Sequence, residues 1–162
     1  MIELLANSVD DTRAIAAATA RCARIGDLIV LAGEMGVGKT AFAQGFGREL
    51  GILEPITSPT YTLVHSYQST RMYFHHADVY RLENTTEVVD LAFDELLEDG
   101  LVLVEWGDVV DLGPQLRVEL RHLEQDEQGC ADDTRELTIT ASGRGWATRW
   151  ERLEAELERW SA

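Results

Sequence analysis

The sequence predicts an α/β domain of three layers, built on a mixed and mostly parallel sheet with an antiparallel C-terminal part. Three observations carry this reading. Strand-like and helix-like runs alternate through the first two thirds of the chain, the order that produces parallel sheets. Two of the strand-like runs, "LIVLA" at 28–32 and "LVLV" at 101–104, are apolar throughout, as strands covered on both faces must be. Two later runs, "LRVELRHLEQ" and "RELTITAS", alternate apolar and polar residues, the pattern of half-exposed antiparallel strands. A chain of 162 residues can close one full core, so residues 1–162 are read as a single domain.

The elements follow in order. Residues 1–5 form a short apolar strand. Ser8 with Asp11 makes a capping box that uses Asp in place of Glu, and it opens a helix to about Arg24. Gly26-Asp27 turns the chain into "LIVLA". A glycine-rich loop follows, then a helix from Lys39 to about Leu50, ended by Gly51. "EPITSPTYTLVHSYQ" reads as a proline-punctuated loop running into a strand, and "MYFHHADVY" as another strand. Residues 85–98 suit one or two short helices. The acidic stretch Asp126 to Asp133 joins the last two strands as a hairpin. Finally, Trp146, Trp150, Leu153, Leu157 and Trp160 share one helical face, predicted to pack against the sheet.

Bulk properties narrow the function. The net charge is −15, so long-range repulsion opposes direct binding to a phosphate backbone over a broad surface. Seven acids and no base lie between Leu82 and Gly100; they are read as a solvated face. Cys22 and Cys130 have no CxxC partner and are expected to stay reduced. His65, His75, His76 and His122 lack metal-ligand spacing, and His75 and His76 should point to opposite faces of their strand. The N-terminus carries no basic segment ahead of an apolar one, and no apolar run is long enough for a membrane span. The expected location is the cytoplasm.

The chemistry centres on "LAGEMGVGKTAF", Leu31 to Phe42. Gly33-x4-Gly38-Lys39-Thr40 matches the phosphate-binding P-loop at every position. It follows a buried strand and opens a helix, the context the motif requires. Backbone N–H groups of such a loop, together with the helix N-terminus, hold phosphate oxygens. The expected nucleotide-binding residues are therefore Gly33, Glu34, Met35, Gly36, Val37, Gly38, Lys39, Thr40 and Ala41, with Mg²⁺ beside the phosphates. Lys39 neutralises the β- and γ-phosphates, and the Thr40 hydroxyl is a ligand for Mg²⁺. Lys39 is also the only lysine beside thirteen arginines. A compact ammonium fits a phosphate cradle where a planar guanidinium does not.

A P-loop enzyme also needs a carboxylate beside Mg²⁺, at the end of a neighbouring strand. Glu105, ending the more hydrophobic run, is assigned to Mg²⁺ directly or through water, and Asp78 to orienting the attacking water; the two could be exchanged. "TSPTY", Thr57 to Tyr61, sits where a switch segment would sense the γ-phosphate, with Thr60 preferred over Ser58 for that contact. The main alternative is a small P-loop kinase acting on a small molecule or nucleotide. Such kinases close an arginine-rich lid, whereas the arginines here are scattered, with Arg71 and Arg81 the only ones expected near the chemistry. A GTP-selecting N-K-x-D motif cannot occur in a chain whose single lysine is Lys39.

Taken together, "GEMGVGKTAFAQGF", "SPTYTLVHSY", "FHHADVYRLE" and "LVLVEWGD" resemble the TsaE (YjeE) family, strongly from about Gly26 to Asp108. The resemblance implies a P-loop NTPase fold and ATP hydrolysis that is weak in isolation. It implies a role with the TsaD and TsaB subunits, which transfer threonylcarbamoyl to adenosine 37 of tRNA, so that tRNA is met only indirectly. By motif, Lys39 and Thr40 belong to the nucleotide and Mg²⁺ site and Thr60 to the switch-like loop. Asp78 is the acid of D-x-Y-R-L, and Glu105 with Trp106 forms an E-W pair, with Trp106 also expected among the nucleotide-binding residues. Gly107 and Val79 replace the family's usual Pro and Leu, and neither change removes a charged or hydroxyl group.

Overall fold

The computed structural model describes residues 1–59, 63–79, 92–106, 112–123 and 133–162. Its elements are β1 (Ile2–Ala6), α1 (Val9–Arg21), β2 (Leu28–Ala32), α2 (Lys39–Glu49), β3 (Val64–Gln68), β4 (Tyr73–Asp78), α3 (Phe93–Asp99), β5 (Gly100–Glu105), β6 (Leu116–His122), β7 (Arg135–Ala141), α4 (Arg144–Ala147) and α5 (Trp150–Leu157), closed by a 3₁₀ turn at Glu158–Trp160.

The strands form one seven-stranded sheet in the order β1-β7-β6-β2-β5-β4-β3. The four central strands, β6, β2, β5 and β4, are parallel. β3 pairs antiparallel with β4 on one flank, and β7 antiparallel with β6 and β1 on the other. This is the mixed sheet expected from the alternation, with its antiparallel parts at the edges. β2 and β5 are buried along their whole length, as their uninterrupted apolar runs require.

The two faces differ. Ile29, Leu31, Leu101, Leu103, Leu116 and Val118 meet α1, α2 and the C-terminal helices in the larger core. There Phe42, Phe46 and Phe74 stack with ring centroids 6.4 and 5.7 Å apart. Leu28, Val30, Val102 and Val104 face the other way, against Phe93, Leu96 and Leu97 of α3. α1 and α2 approach closely enough that a Cβ on Gly45 would run into the Arg13 backbone; only glycine fits there.

Ser8 caps α1 as predicted, its hydroxyl accepting from Asp11 N at 3.1 Å. The helix stops at Arg21, short of the expected Arg24. Asp27 is the reason: its Oδ2 accepts from Arg24 N at 2.7 Å, and that side-chain bond competes with helix continuation. Cys22 is the resulting C-cap, a buried free thiol whose pKa is pushed up by burial. Cys130 and the 126–132 part of the acidic connection lie outside the described residues.

The C-terminal face predicted from its Trp/Leu spacing is real but broken. α4 ends at Ala147 and α5 begins at Trp150. Trp146, Leu153, Leu157 and Trp160 are buried in the larger core, and α5 lies against α1 rather than on the sheet face. Arg149 fixes this arrangement. Its guanidinium forms a two-pronged pair with the Asp27 carboxylate, both bonds 2.7 Å, and donates to Cys22 O at 2.8 Å. The tail then covers the open edge of β1: Leu4 bridges to Ser161, and Ala162 N donates to Glu3 O. Covering an edge strand removes a template for aggregation. Within the described part of the acidic segment, Asp94, Glu95, Glu98 and Asp99 are exposed, which agrees with a solvated face. No helix among the described residues is long and apolar enough to cross a membrane.

Candidate functional site

The site forms at the carboxyl ends of β2, β5 and β4. After β2 the chain builds β4 and β5 on one side, then crosses to place β6 on the other. In open α/β sheets this is the switch point where ligands bind.

The loop between β2 and α2 has the shape its glycines predict. Gly33, Gly36 and Gly38 have φ of 138°, 80° and 119°. At Gly33 a Cβ would lie 2.5 Å from Leu120 O, so neither its conformation nor its space admits another residue. Val37 carries the loop's only buried apolar anchor: its side chain lies in the larger core. Arg135, at the start of β7, donates from Nε to Val37 O at 2.8 Å. This brace, from 98 residues away, was not legible in the motif. Met35 is 70% exposed at the loop tip.

Lys39 opens α2 and is buried. Its Nζ donates to Gly33 O at 2.7 Å and Glu34 O at 2.8 Å. The same ammonium sits 3.9 Å from the centre of the Trp106 ring. Trp106 holds φ at 64°, a left-handed conformation that is costly for a bulky residue. That turn, fixed by Trp106 N donating to Leu31 O at 3.0 Å, lays the indole over the ammonium.

The two carboxylates lie side by side. β4 and β5 pair in parallel with Asp78 directly opposite Glu105. Both are buried, at 5% and 4% exposure. Ser58 Oγ donates to Asp78 Oδ2 at 3.4 Å. Glu105 Oε1 accepts from His76 Nε2 at 2.9 Å, a partner the sequence reading did not assign. His75 points to the opposite face, as alternation required; it meets Ser66 and Asp99.

A cleft of about 450 Å³ joins these groups, lined by Met35, Gly36, Gly38, Lys39, Thr40, Ser58, Asp78, Glu105 and Trp106. Of the residues expected to contact nucleotide, Gly33, Glu34, Val37 and Ala41 do not line it. Thr60 falls outside the described residues, whereas Ser58, the second choice for the switch contact, borders the cleft. Arg71 is not near the chemistry. It sits in the β3–β4 turn, at the opposite end of β4 from Asp78, and donates to Ala23 O. Arg81 lies outside the described residues.

The donor set suits Mg²⁺ bound together with a polyphosphate. The Thr40 hydroxyl and the Asp78 and Glu105 carboxylates are hard oxygens, and Mg²⁺ takes such ligands with substrate phosphates and water completing its shell. Among the described residues no cluster of three or more His, Cys, Asp or Glu could hold a metal alone.

Comparison with known proteins agrees with this fold. The family described as threonylcarbamoyl adenosine biosynthesis protein TsaE matches residues 6–136. A Bacillus subtilis protein named tRNA threonylcarbamoyladenosine biosynthesis protein TsaE is 40% identical, over 93% of this chain and 89% of the relative. A Streptomyces coelicolor protein of the same name is 38% identical, over 80% and 89%. The crystal structure of Bacillus subtilis YdiB superposes with a TM-score of 0.74 at 31% identity, covering 98% of this chain and 97% of that one.

Proposed function

This chain belongs to the TsaE family, and from that premise we propose that it is a single-domain ATPase serving threonylcarbamoylation of tRNA adenosine 37. In this reading it binds ATP and Mg²⁺, hydrolyses ATP weakly alone, and supports turnover of the TsaD–TsaB transferase in the cytoplasm. It meets tRNA only through those partners. The observation that carries the reading is the shared cleft: a phosphate loop with its lysine, and two buried carboxylates in register across from it.

Each residue then has a task. The loop amides and Lys39 bind the phosphates, Lys39 giving up its bonds to Gly33 O and Glu34 O to do so. Thr40 and Glu105 hold Mg²⁺, which neutralises charge on the phosphates when bound. Asp78 orients the attacking water. Its Ser58 contact ties it to the 57–59 loop, so an ordered loop and a correctly aimed carboxylate go together. Thr60 senses the γ-phosphate from the same loop.

The test is phosphate release from ATP–Mg²⁺, with and without TsaD and TsaB. Stimulation by the partners is expected. Phosphate transfer to a small acceptor, or preference for GTP, would sink the reading. Asp78→Asn should keep ATP affinity within a few-fold while turnover drops by roughly 10²–10⁴, the usual worth of a proton-handling or water-orienting group; Glu105→Gln should lower turnover as well, and should raise the Mg²⁺ concentration that binding requires.

A further inference from the structure

We propose that His76 is a positioning residue of the hydrolytic site, holding the Glu105 carboxylate by a hydrogen bond from Nε2 to Oε1. The inference rests on the assignment of Glu105 to the metal in the reading above.

Alternation along β4 puts Phe74, His76 and Asp78 on one face of the sheet. Phe74 is sealed in the aromatic stack and Asp78 lines the cleft. His76 lies between them. Its side chain is fully buried, and that of Glu105 is 5% exposed. The ring is clamped against Phe74, centroids 6.1 Å apart and planes 16° from parallel, which leaves it little freedom to turn. An ionised carboxylate can only accept, so Nε2 carries the hydrogen.

The other ring nitrogen identifies the purpose of the bond. His76 Nδ1 is buried with no hydrogen-bond partner among the described residues. A histidine retained for packing would be expected to have both nitrogens satisfied or to be replaced by an apolar residue. Here one nitrogen goes without, and the other is aimed at the one carboxylate that borders both the P-loop and Asp78. Restraining Oε1 leaves the second oxygen of Glu105 for the ligand and stops the side chain rotating. Partners of this kind orient metal-ligating groups, and losing one costs about 10–100-fold in metal affinity or activity.

Side-chain length supplies the experiment. A glutamine amide nitrogen lies as many bonds from the backbone as histidine Nε2, whereas an asparagine nitrogen reaches only as far as Nδ1. His76→Gln therefore keeps the donor and His76→Asn withdraws it. His76→Leu removes it while keeping an apolar volume. The readout is binding of a non-hydrolysable ATP analogue across a MgCl₂ titration, with a metal-free arm in EDTA and thermal melting alongside.

His76→Asn and His76→Leu should raise the Mg²⁺ concentration for half-maximal tightening by about 10–100-fold, with metal-free affinity unchanged. His76→Gln should restore most of that loss. Equal behaviour of Gln and Asn, or an unchanged Mg²⁺ midpoint in Asn and Leu, would overturn the proposal. If Asn and Leu both lose the fold while Gln keeps it, the bond is a stability element and the proposal falls as well. Glu105→Gln is run in parallel: no Mg²⁺ effect there would refute the role of Glu105 itself, a failure distinct from that of His76.

Discussion

Lys39 shows how much one residue can settle. The chain spends arginine on every other positive charge and keeps a lysine where the charge must fit among loop carbonyls 2.7 and 2.8 Å away. A guanidinium is too wide for that space. Lys39→Arg and Lys39→Ala should both weaken ATP binding by about 10–100-fold, the worth of one to two charge-assisted bonds, measured by calorimetry; retained affinity in Lys39→Arg would contradict this steric account. The indole beside it provides a second test. Nucleotide that draws the ammonium from its seat 3.9 Å above Trp106 changes the environment of that ring alone among the four tryptophans. An ATP-induced change in intrinsic fluorescence is expected, and Trp106→Phe should abolish it. A change that persists in Trp106→Phe would place the reporter elsewhere. P-loop, lysine and the two acids were readable one residue at a time because each is a motif position. His76 was not, since its meaning depends on which carboxylate it faces.

Elements bring together what the residues cannot. Asp78 and Glu105 each end a strand, and the sequence left open which of them sat nearer the metal. The parallel register of β4 and β5 sets them opposite each other, so both share the cleft. At the C-terminus, spacing alone predicted an apolar face, and the face exists. Its break at Thr148-Arg149 has a cause the pattern could not carry: Arg149 turns inward to meet Asp27, 122 residues earlier. Both groups are nearly buried, at 4% and 9% side-chain exposure. Removing one partner of such a pair typically costs roughly 3–5 kcal/mol, because a charge stays behind without compensation. Arg149→Ala should therefore lower stability by about that amount in urea or thermal unfolding. A loss below about 1 kcal/mol would show that the pair is only incidental, as exposed ion pairs usually are. The double variant Asp27→Asn/Arg149→Met should recover part of the loss.

On the scale of the whole molecule, charge and topology point the same way. A net charge of −15 disfavours a phosphate backbone as a direct partner. Gel-shift titration with tRNA alone, at ~0.1 M salt where charges beyond about 10 Å are screened, should show no complex; a tight one would overturn the view that RNA is reached through protein partners. The fold class was legible because it follows from the order and hydrophobic pattern of segments, which are local properties. The P-loop was legible for a similar reason: turn, cradle and helix start are all built from consecutive residues, 33–40. What only the tertiary structure decided is the set of contacts made between distant segments. Arg135 bracing Val37 O, Arg149 pairing with Asp27, and His76 holding Glu105 join residues 98, 122 and 29 positions apart. Such pairings depend on strand register and on which helix covers which face; a one-residue slip along β4, for example, would send His76 to the other side of the sheet.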